Sequence, residues 1–103
     1  MELELARQQW EDGNRRIEGA RERDRPRYAR LMAQVDVVAD GLRRRVGQTF
    51  TLAELAAAYD GADEWARGII DDADPDAPPT VEPGTVADAA FHAYARGAVD
   101  YRP

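Results

Sequence analysis

The stretch TFTLAELAAAYDGADEWARGII, residues 49–70, carries the clearest helix and turn signals in the sequence. Thr51 is followed three residues later by Glu54, which is the spacing of a helix capping box. Gly61 then supplies a turn, and a second segment with helical periodicity follows directly. The pattern predicts two short helices joined by a tight turn, which is the outline of a helix-turn-helix corner.

The second helix of this corner carries acids where a DNA-reading helix carries basic and amide side chains. Asp63 and Glu64 begin it, Asp71 and Asp72 end it, and Arg67 is its single basic residue. DNA phosphates repel such a helix, and base edges are read mainly by Arg, Lys, Asn and Gln. We therefore expect an acidic face that docks a basic protein partner and does not bind nucleic acid. The predicted binding residues on this face are Asp63, Glu64 and Arg67.

Further helices are predicted on both sides of the corner, which makes the fold class all-α. The clearest runs from about residue 27 to residue 46, where apolar residues alternate by three and four positions. Another begins at Thr85 and extends its apolar stripe to Tyr101. The segment 74–84, rich in proline and aspartate, is predicted to be a loop. The expected architecture is a small helical bundle of about five helices.

The N-terminal segment, residues 1–25, is predicted to be an amphipathic arm helix, separate from a bundle domain at residues 26–103. Three large apolar residues recur every seven positions on it, which is the spacing of a coiled-coil stripe. Such a thin stripe needs a partner surface to remain helical. We expect that surface to be a second copy of the chain or another protein. The predicted partner-binding residues of the arm are Leu3, Trp10, Ile17, Arg15 and Arg16.

Charge divides the chain into unlike halves. Residues 1–47 hold 11 arginines against 9 acids, a net charge of +2, whereas residues 48–103 hold 3 arginines against 11 acids, a net charge of −8. The basic arm of one copy can therefore engage the acidic bundle of another. This distribution favours a homodimer formed by arm exchange.

Arginine clusters leave a nucleic-acid hypothesis open. Residues 15–30 carry seven arginines, and residues 43–45 are three arginines in succession. Arginine-rich helices bind nucleic acid, particularly RNA. However, Glu11 with Arg15 stands at the spacing of an intrahelical ion pair, which is typical of a solvated helix. A nucleic-acid-associated regulator is therefore an alternative rather than the leading hypothesis.

Composition argues against most catalytic and metal chemistry. The chain has no Cys, Ser or Lys, so the usual nucleophiles are absent, and its one histidine, His92, cannot form a paired-histidine metal site. Asp72, Asp74 and Asp76 have the spacing of a calcium loop, but Pro83 occupies the position of the closing glutamate. We expect no enzymatic activity, no cofactor and no metal.

The N-terminus lacks the charged and apolar segments of a signal peptide, and no apolar run approaches the roughly 20 residues of a membrane helix. The sequence therefore predicts a cytoplasmic protein that does not bind membranes, and its arginine- and alanine-rich composition points to a bacterial source.

The leading functional hypothesis is a non-enzymatic helical protein–protein interaction module, an adaptor or regulatory protein that self-associates through its N-terminal helix. The first alternative is a helix-turn-helix-type nucleic-acid-associated transcriptional regulator. The second is a small accessory subunit of a larger enzyme complex.

Overall fold

The computed structural model describes residues 2–73, 75–76 and 82–96, and within these ranges the secondary structure is entirely helical. The all-α class and the five-helix bundle are confirmed. The helices are α1 (Leu3–Ala20), α2 (Arg25–Arg45), α3 (Leu52–Ala58), α4 (Ala62–Ala73) and α5 (Pro83–Ala95).

Two helix starts follow the local signals in the sequence. The Thr51 hydroxyl accepts a hydrogen bond from the backbone N–H of Glu54 at 3.1 Å, so Thr51 is the N-cap of α3 as predicted. The Asp24 carboxylate accepts from the N–H of Arg27 at 3.2 Å and caps α2. Gly61 has a positive φ of 73°, a conformation that glycine adopts without steric cost, and it forms the turn between α3 and α4.

The start of α5 differs from the prediction. The helix begins at Pro83, two residues before the predicted Thr85, because the fixed φ of proline suits the first turn of a helix. The preceding residue, Glu82, makes no capping hydrogen bond with its side chain. Its carboxylate instead binds the Arg27 guanidinium, with a shortest N–O distance of 2.6 Å, and joins the start of α5 to the start of α2.

Helix α5 is the centre of the bundle, since it contacts all four other helices. Its buried residues are mostly small, which allows neighbouring helices to approach closely. Phe91 is the one aromatic residue among them. The buried residues of α5 are Pro83, Val86, Ala87, Ala89, Ala90 and Phe91.

The apolar stripe of α1 lies in this core. Trp10 and Ile17 are each only 1% exposed, and Leu3 packs at the edge of the same cluster. Trp10 and Ile17, predicted to meet a partner, are therefore core residues of their own chain. The seven-residue spacing correctly identified an apolar face, but the alanine-rich surface of α5 covers it. The division into an arm at 1–25 and a bundle at 26–103 stays a prediction.

Some predictions fall outside the described residues. These include the part of the last apolar stripe that reaches Tyr101, and Asp74 with most of the predicted loop at 74–84. Among the helices that the structure describes, none has the length and apolar character needed to cross a membrane.

Candidate functional site

A polar cleft lies where α1, the α3–α4 turn and α5 meet. It has a volume of about 320 Å³. Gln9 of α1 and Asp88 of α5 contribute polar side chains from two sides, and Tyr59, at the C-terminal end of α3, lies between them. Asp60 and Asp63 line the side formed by the turn and the start of α4. The cleft therefore brings together five polar side chains from three parts of the chain.

The Tyr59 hydroxyl connects the helices at this cleft. It donates a hydrogen bond to the Asp88 carboxylate and lies 3.1 Å from Gln9 Oε1. The Tyr59 ring is fixed from behind by the core, with its centroid 5.7 Å from Trp10 and 5.1 Å from Phe91, both in edge-on geometry. The hydroxyl is thus held at the surface by a ring that is packed on the core.

Asp88 reaches this position because α1 and α5 are in close contact. The contact occurs at Gly13, where an added Cβ would overlap the Cβ of Asp88 and would lie 3.2 Å from both Ala89 N and Thr85 O. A residue larger than glycine does not fit there without separating the helices. Gly13 therefore determines how near Asp88 comes to α1 and to Tyr59.

Burial governs the electrostatics of the cleft. It is the largest cause of the raised pKa of Asp88; the hydrogen bond from Tyr59 and the charge of Arg16 act in the opposite direction, and the charges of Asp12 and Asp63 add to the rise. The pKa of Tyr59 is raised well above its ordinary value, by burial and then by the hydrogen bond to Asp88 and the neighbouring carboxylates. The site is therefore a partly desolvated, acidic environment.

The structure places the predicted binding residues on two surfaces. Asp63, Glu64 and Arg67 are exposed on α4, and Asp63 also lines the cleft. Arg15 and Arg16 are exposed on α1, and the charge of Arg16 acts on both Tyr59 and Asp88. The charges of Arg16 and Asp63 thus both act on Tyr59 and Asp88, which their distance in sequence did not indicate.

The ion pairs of α1 follow the prediction in part. Arg15 pairs with Glu11 at 3.6 Å, as the spacing indicated, and also with Asp12 at 3.2 Å. Asp12 stands four residues before Arg16, yet Arg15 is the arginine that it pairs with. Arg15 is consequently less available to a partner than its exposure suggests.

Four polar residues of the cleft were not predicted as site residues: Gln9, Tyr59, Asp60 and Asp88. Tyr59 lies 50 residues from Gln9 and 29 from Asp88 along the chain. No local motif links residues at such separations. A weak signal was present, because Asp88 is the one acidic residue of α5.

The other charged groups considered from the sequence lie away from this cleft. Arg43 and Arg44 pair with Asp40 at 2.9 and 3.4 Å, and the guanidinium of Arg45 lies 4.8 Å from the Trp65 ring centroid. His92 is half-buried on α5, where burial and the charge of Arg96 lower its pKa. Within the described ranges, no three His, Asp or Glu side chains are grouped so that they could hold a metal ion.

Comparison of the chain with known protein families, curated proteins and solved structures finds no match.

Tyr59 gives the protein a predictable response to alkaline pH. The phenol ionises in the unfolded chain near its ordinary pKa of 10.0 but stays protonated to higher pH in the folded chain. The folded state then binds more protons, so we expect stability to fall as the pH rises above 10.0. Tyr59→Phe should make this decline shallower, as measured by urea denaturation across the alkaline range.

Tyr28→Phe is the matched control, since Tyr28 lies on α2 and does not line the cleft. An equally steep decline in Tyr59→Phe and in wild type would show that the Tyr59 hydroxyl does not remain protonated in the folded protein.

Proposed function

We propose that this protein is a cytoplasmic, non-enzymatic helical interaction module that binds a basic segment of a protein partner through the acidic surface of α4 and the adjoining cleft. The observation that carries the proposal is the double placement of Asp63, which is exposed on α4 and also lines the cleft beside Tyr59 and Asp88. The α4 surface and the cleft are thereby one continuous acidic region.

The rigidity of α4 supports a docking role. Its inner side is anchored in the core by Ala62, Ala66 and Ile70. The outer side presents Asp63 and Glu64 on the first turn and Arg67 on the next. A charged surface on an anchored helix loses little conformational entropy when a partner binds.

Charge defines the chemistry of the partner. The half of the chain that contains α4 carries a net charge of −8. Such a surface attracts a basic segment from a distance and repels an acidic one. Arg67 is the one basic residue of α4, and an acid at the matching position of the partner would fix the register of binding.

A second copy of the chain is a less suitable partner than a foreign protein. The stripe proposed for self-association from the sequence lies in the core at Trp10 and Ile17, so it is covered. The exposed Arg15 of a second copy is already paired with Glu11 and Asp12. A foreign protein with an unpaired basic segment therefore fits the acidic region better.

The nucleic-acid alternative has weaker support. Two of the three arginines at the end of α2 are paired with Asp40, and the third lies over Trp65. Because Arg43 and Arg44 are already paired, less positive charge is left to neutralise the phosphates of a nucleic acid. Binding of duplex DNA or RNA that weakens steeply with salt and requires Arg43 and Arg44 would favour this alternative.

Charge reversal on α4 tests the proposal. An oligoarginine peptide carrying a fluorophore serves as the probe, and its affinity is measured by anisotropy at low and at physiological salt. We expect Asp63→Arg with Glu64→Arg to weaken binding about tenfold or more, because it places like charges opposite the peptide. Added salt should weaken binding to the wild-type protein, since exposed charges are screened.

The control is a protein with the same net charge but reversals elsewhere. Asp36→Arg with Glu22→Arg changes two exposed acids on α2 and on the turn before it. This variant should retain most of the affinity. Equal losses in both variants would mean that the peptide responds only to net charge, and no binding to wild type at low salt would refute the proposal.

A further inference from the structure

An aspartate directly followed by glycine is prone to rearrange spontaneously, because glycine has no side chain to hinder the approach of its backbone nitrogen to the aspartate carboxyl. The chain contains three such pairs: Asp12 with Gly13, Asp40 with Gly41, and Asp60 with Gly61. The fold places the three pairs in different surroundings, so it decides which of them can react.

The rearrangement passes through a five-membered succinimide ring. The glycine nitrogen attacks the side-chain carbonyl carbon of the protonated aspartate, a C–N bond forms, and the carboxyl hydroxyl leaves with the amide proton as water. Water then opens the ring. When it cleaves the bond between the main-chain carbonyl carbon and this nitrogen, the chain continues through the aspartate side chain. The product is isoaspartate, which has the same mass and a main chain longer by one carbon atom.

Two of the pairs lie inside helices, where the backbone cannot reach the ring geometry. Gly13 is buried in α1 and Gly41 in α2. The helix fixes their backbone dihedral angles, and the N–H of an interior residue donates to the carbonyl four residues earlier. An added Cβ at Gly13 would overlap the Cβ of Asp88, and one at Gly41 would lie 2.6 Å from Ile69 Cδ1. Rotation of either glycine therefore requires its helix to open.

The third pair lies in the turn between α3 and α4, outside both helices. Asp60 and Gly61 are both exposed, and the φ of Gly61 is 73°. An added Cβ at Gly61 would have no heavy atom within 4 Å, so the space beside this peptide group is open. The backbone at this pair can thus rotate toward the ring geometry without displacing a packed helix.

We infer that the bond between Asp60 and Gly61 is a modification site, at which the folded protein forms isoaspartate in preference to its two other Asp-Gly pairs. Both residues line the cleft, and they directly follow Tyr59. The additional main-chain atom lengthens the turn that positions Tyr59 against Asp88, so the modification changes the shape of the cleft. The reaction requires no partner, so this inference goes beyond the proposed binding function and is tested separately from it.

The test ages the folded wild-type protein in neutral buffer at body temperature for several weeks and then digests it with trypsin. Cleavage after arginine places the three pairs in separate peptides, residues 8–15, 31–43 and 46–67. Reversed-phase chromatography separates isoaspartyl peptides from unmodified ones of equal mass, and electron-transfer fragmentation identifies the residue. We expect isoaspartate to accumulate about tenfold faster or more at Asp60 than at Asp12 or Asp40, since these two react only when a packed helix opens locally.

The same chain aged in urea is the reference, because unfolding removes the difference between helix and turn. There the three pairs should react at similar rates. Asp60→Glu is the matched variant, since it retains the charge while its additional methylene group enlarges the ring that would have to close. Residue 60 of this variant should stay unmodified.

Equal rates at the three pairs in the folded protein would overturn the inference. So would isoaspartate that forms at Asp60 in urea but not in the folded chain, because the turn would then protect this pair as the helices protect the others. Neither outcome depends on how the Asp60→Glu variant folds.

Discussion

Replacement of Trp10 by alanine is expected to remove a large part of the stability of this protein. Trp10 is only 1% exposed and is among the largest fully buried side chains, in contact with Tyr59 and Phe91. Truncation of a buried tryptophan or phenylalanine to alanine costs about 3–5 kcal/mol. Small domains are stable by only about 5–15 kcal/mol. Urea denaturation followed by far-ultraviolet circular dichroism should therefore show a much lower midpoint.

Two further variants show that the loss comes from core packing. Trp10→Phe retains an aromatic ring and removes an indole N–H that has no acceptor among the described residues. An unpartnered buried donor is itself costly, so this variant should lose far less stability than Trp10→Ala. Leu5→Ala trims a side chain of α1 that is 48% exposed, and it should change stability by less than about 0.5 kcal/mol.

The Trp10 result also distinguishes the two interpretations of α1. If Trp10→Ala unfolds at the wild-type midpoint, the stripe of α1 contributes nothing to the core of a single chain. The original prediction, in which α1 is an arm that meets a partner, would then be restored.

Gly13→Ala is expected to destabilise the protein although it raises the intrinsic helix propensity of α1. The added methyl group overlaps the Cβ of Asp88 and crowds the backbone of α5, so α1 and α5 must shift apart to admit it. Overpacking of this kind costs about 1–3 kcal/mol. Chemical denaturation at neutral pH measures the loss.

Two other glycines provide matched controls, for which we expect replacement by alanine to raise stability rather than lower it. The added Cβ of Gly19→Ala would meet only the terminal nitrogen of Arg23 at 3.0 Å, and that flexible side chain can move. The Cβ of Gly68→Ala would have no heavy atom within 4 Å. Both variants should gain up to about 1 kcal/mol from helix propensity. If Gly13→Ala gained stability as the controls do, α1 and α5 could not be as close as the structure places them.

Local signals in the sequence predicted the helices well where the backbone conformation depends on a single capping or turn residue. Thr51 caps α3 as predicted, and Gly61 forms the predicted turn before α4. The prediction places the start of α5 at Thr85, two residues late, because it does not take Pro83 into the first turn of the helix. Each of these features depends on a few adjacent residues.

The candidate site was much less predictable. Asp63 was identified as a binding residue because of its charge and its place on a helix, and the structure adds that it borders a cleft. Gln9, Tyr59 and Asp88 carry no motif, since their hydrogen bonds join residues far apart in the chain. Only the packing of α1 against α5 brings them together.

The sequence by itself determined the fold class, the positions of the helices and the apolar face of each, because these depend on periodicity and capping over a few neighbouring residues. It also determined the acidic character of α4. Which surface covers each apolar face is visible only in the tertiary structure, where Trp10 lies in the core of its own chain rather than at a partner. The same holds for the approach of Asp88 to Gly13 and Tyr59, which packing between distant segments produces. A stripe of apolar residues shows only that one face of a helix must be buried. Which surface covers that face depends on how all the helices pack together.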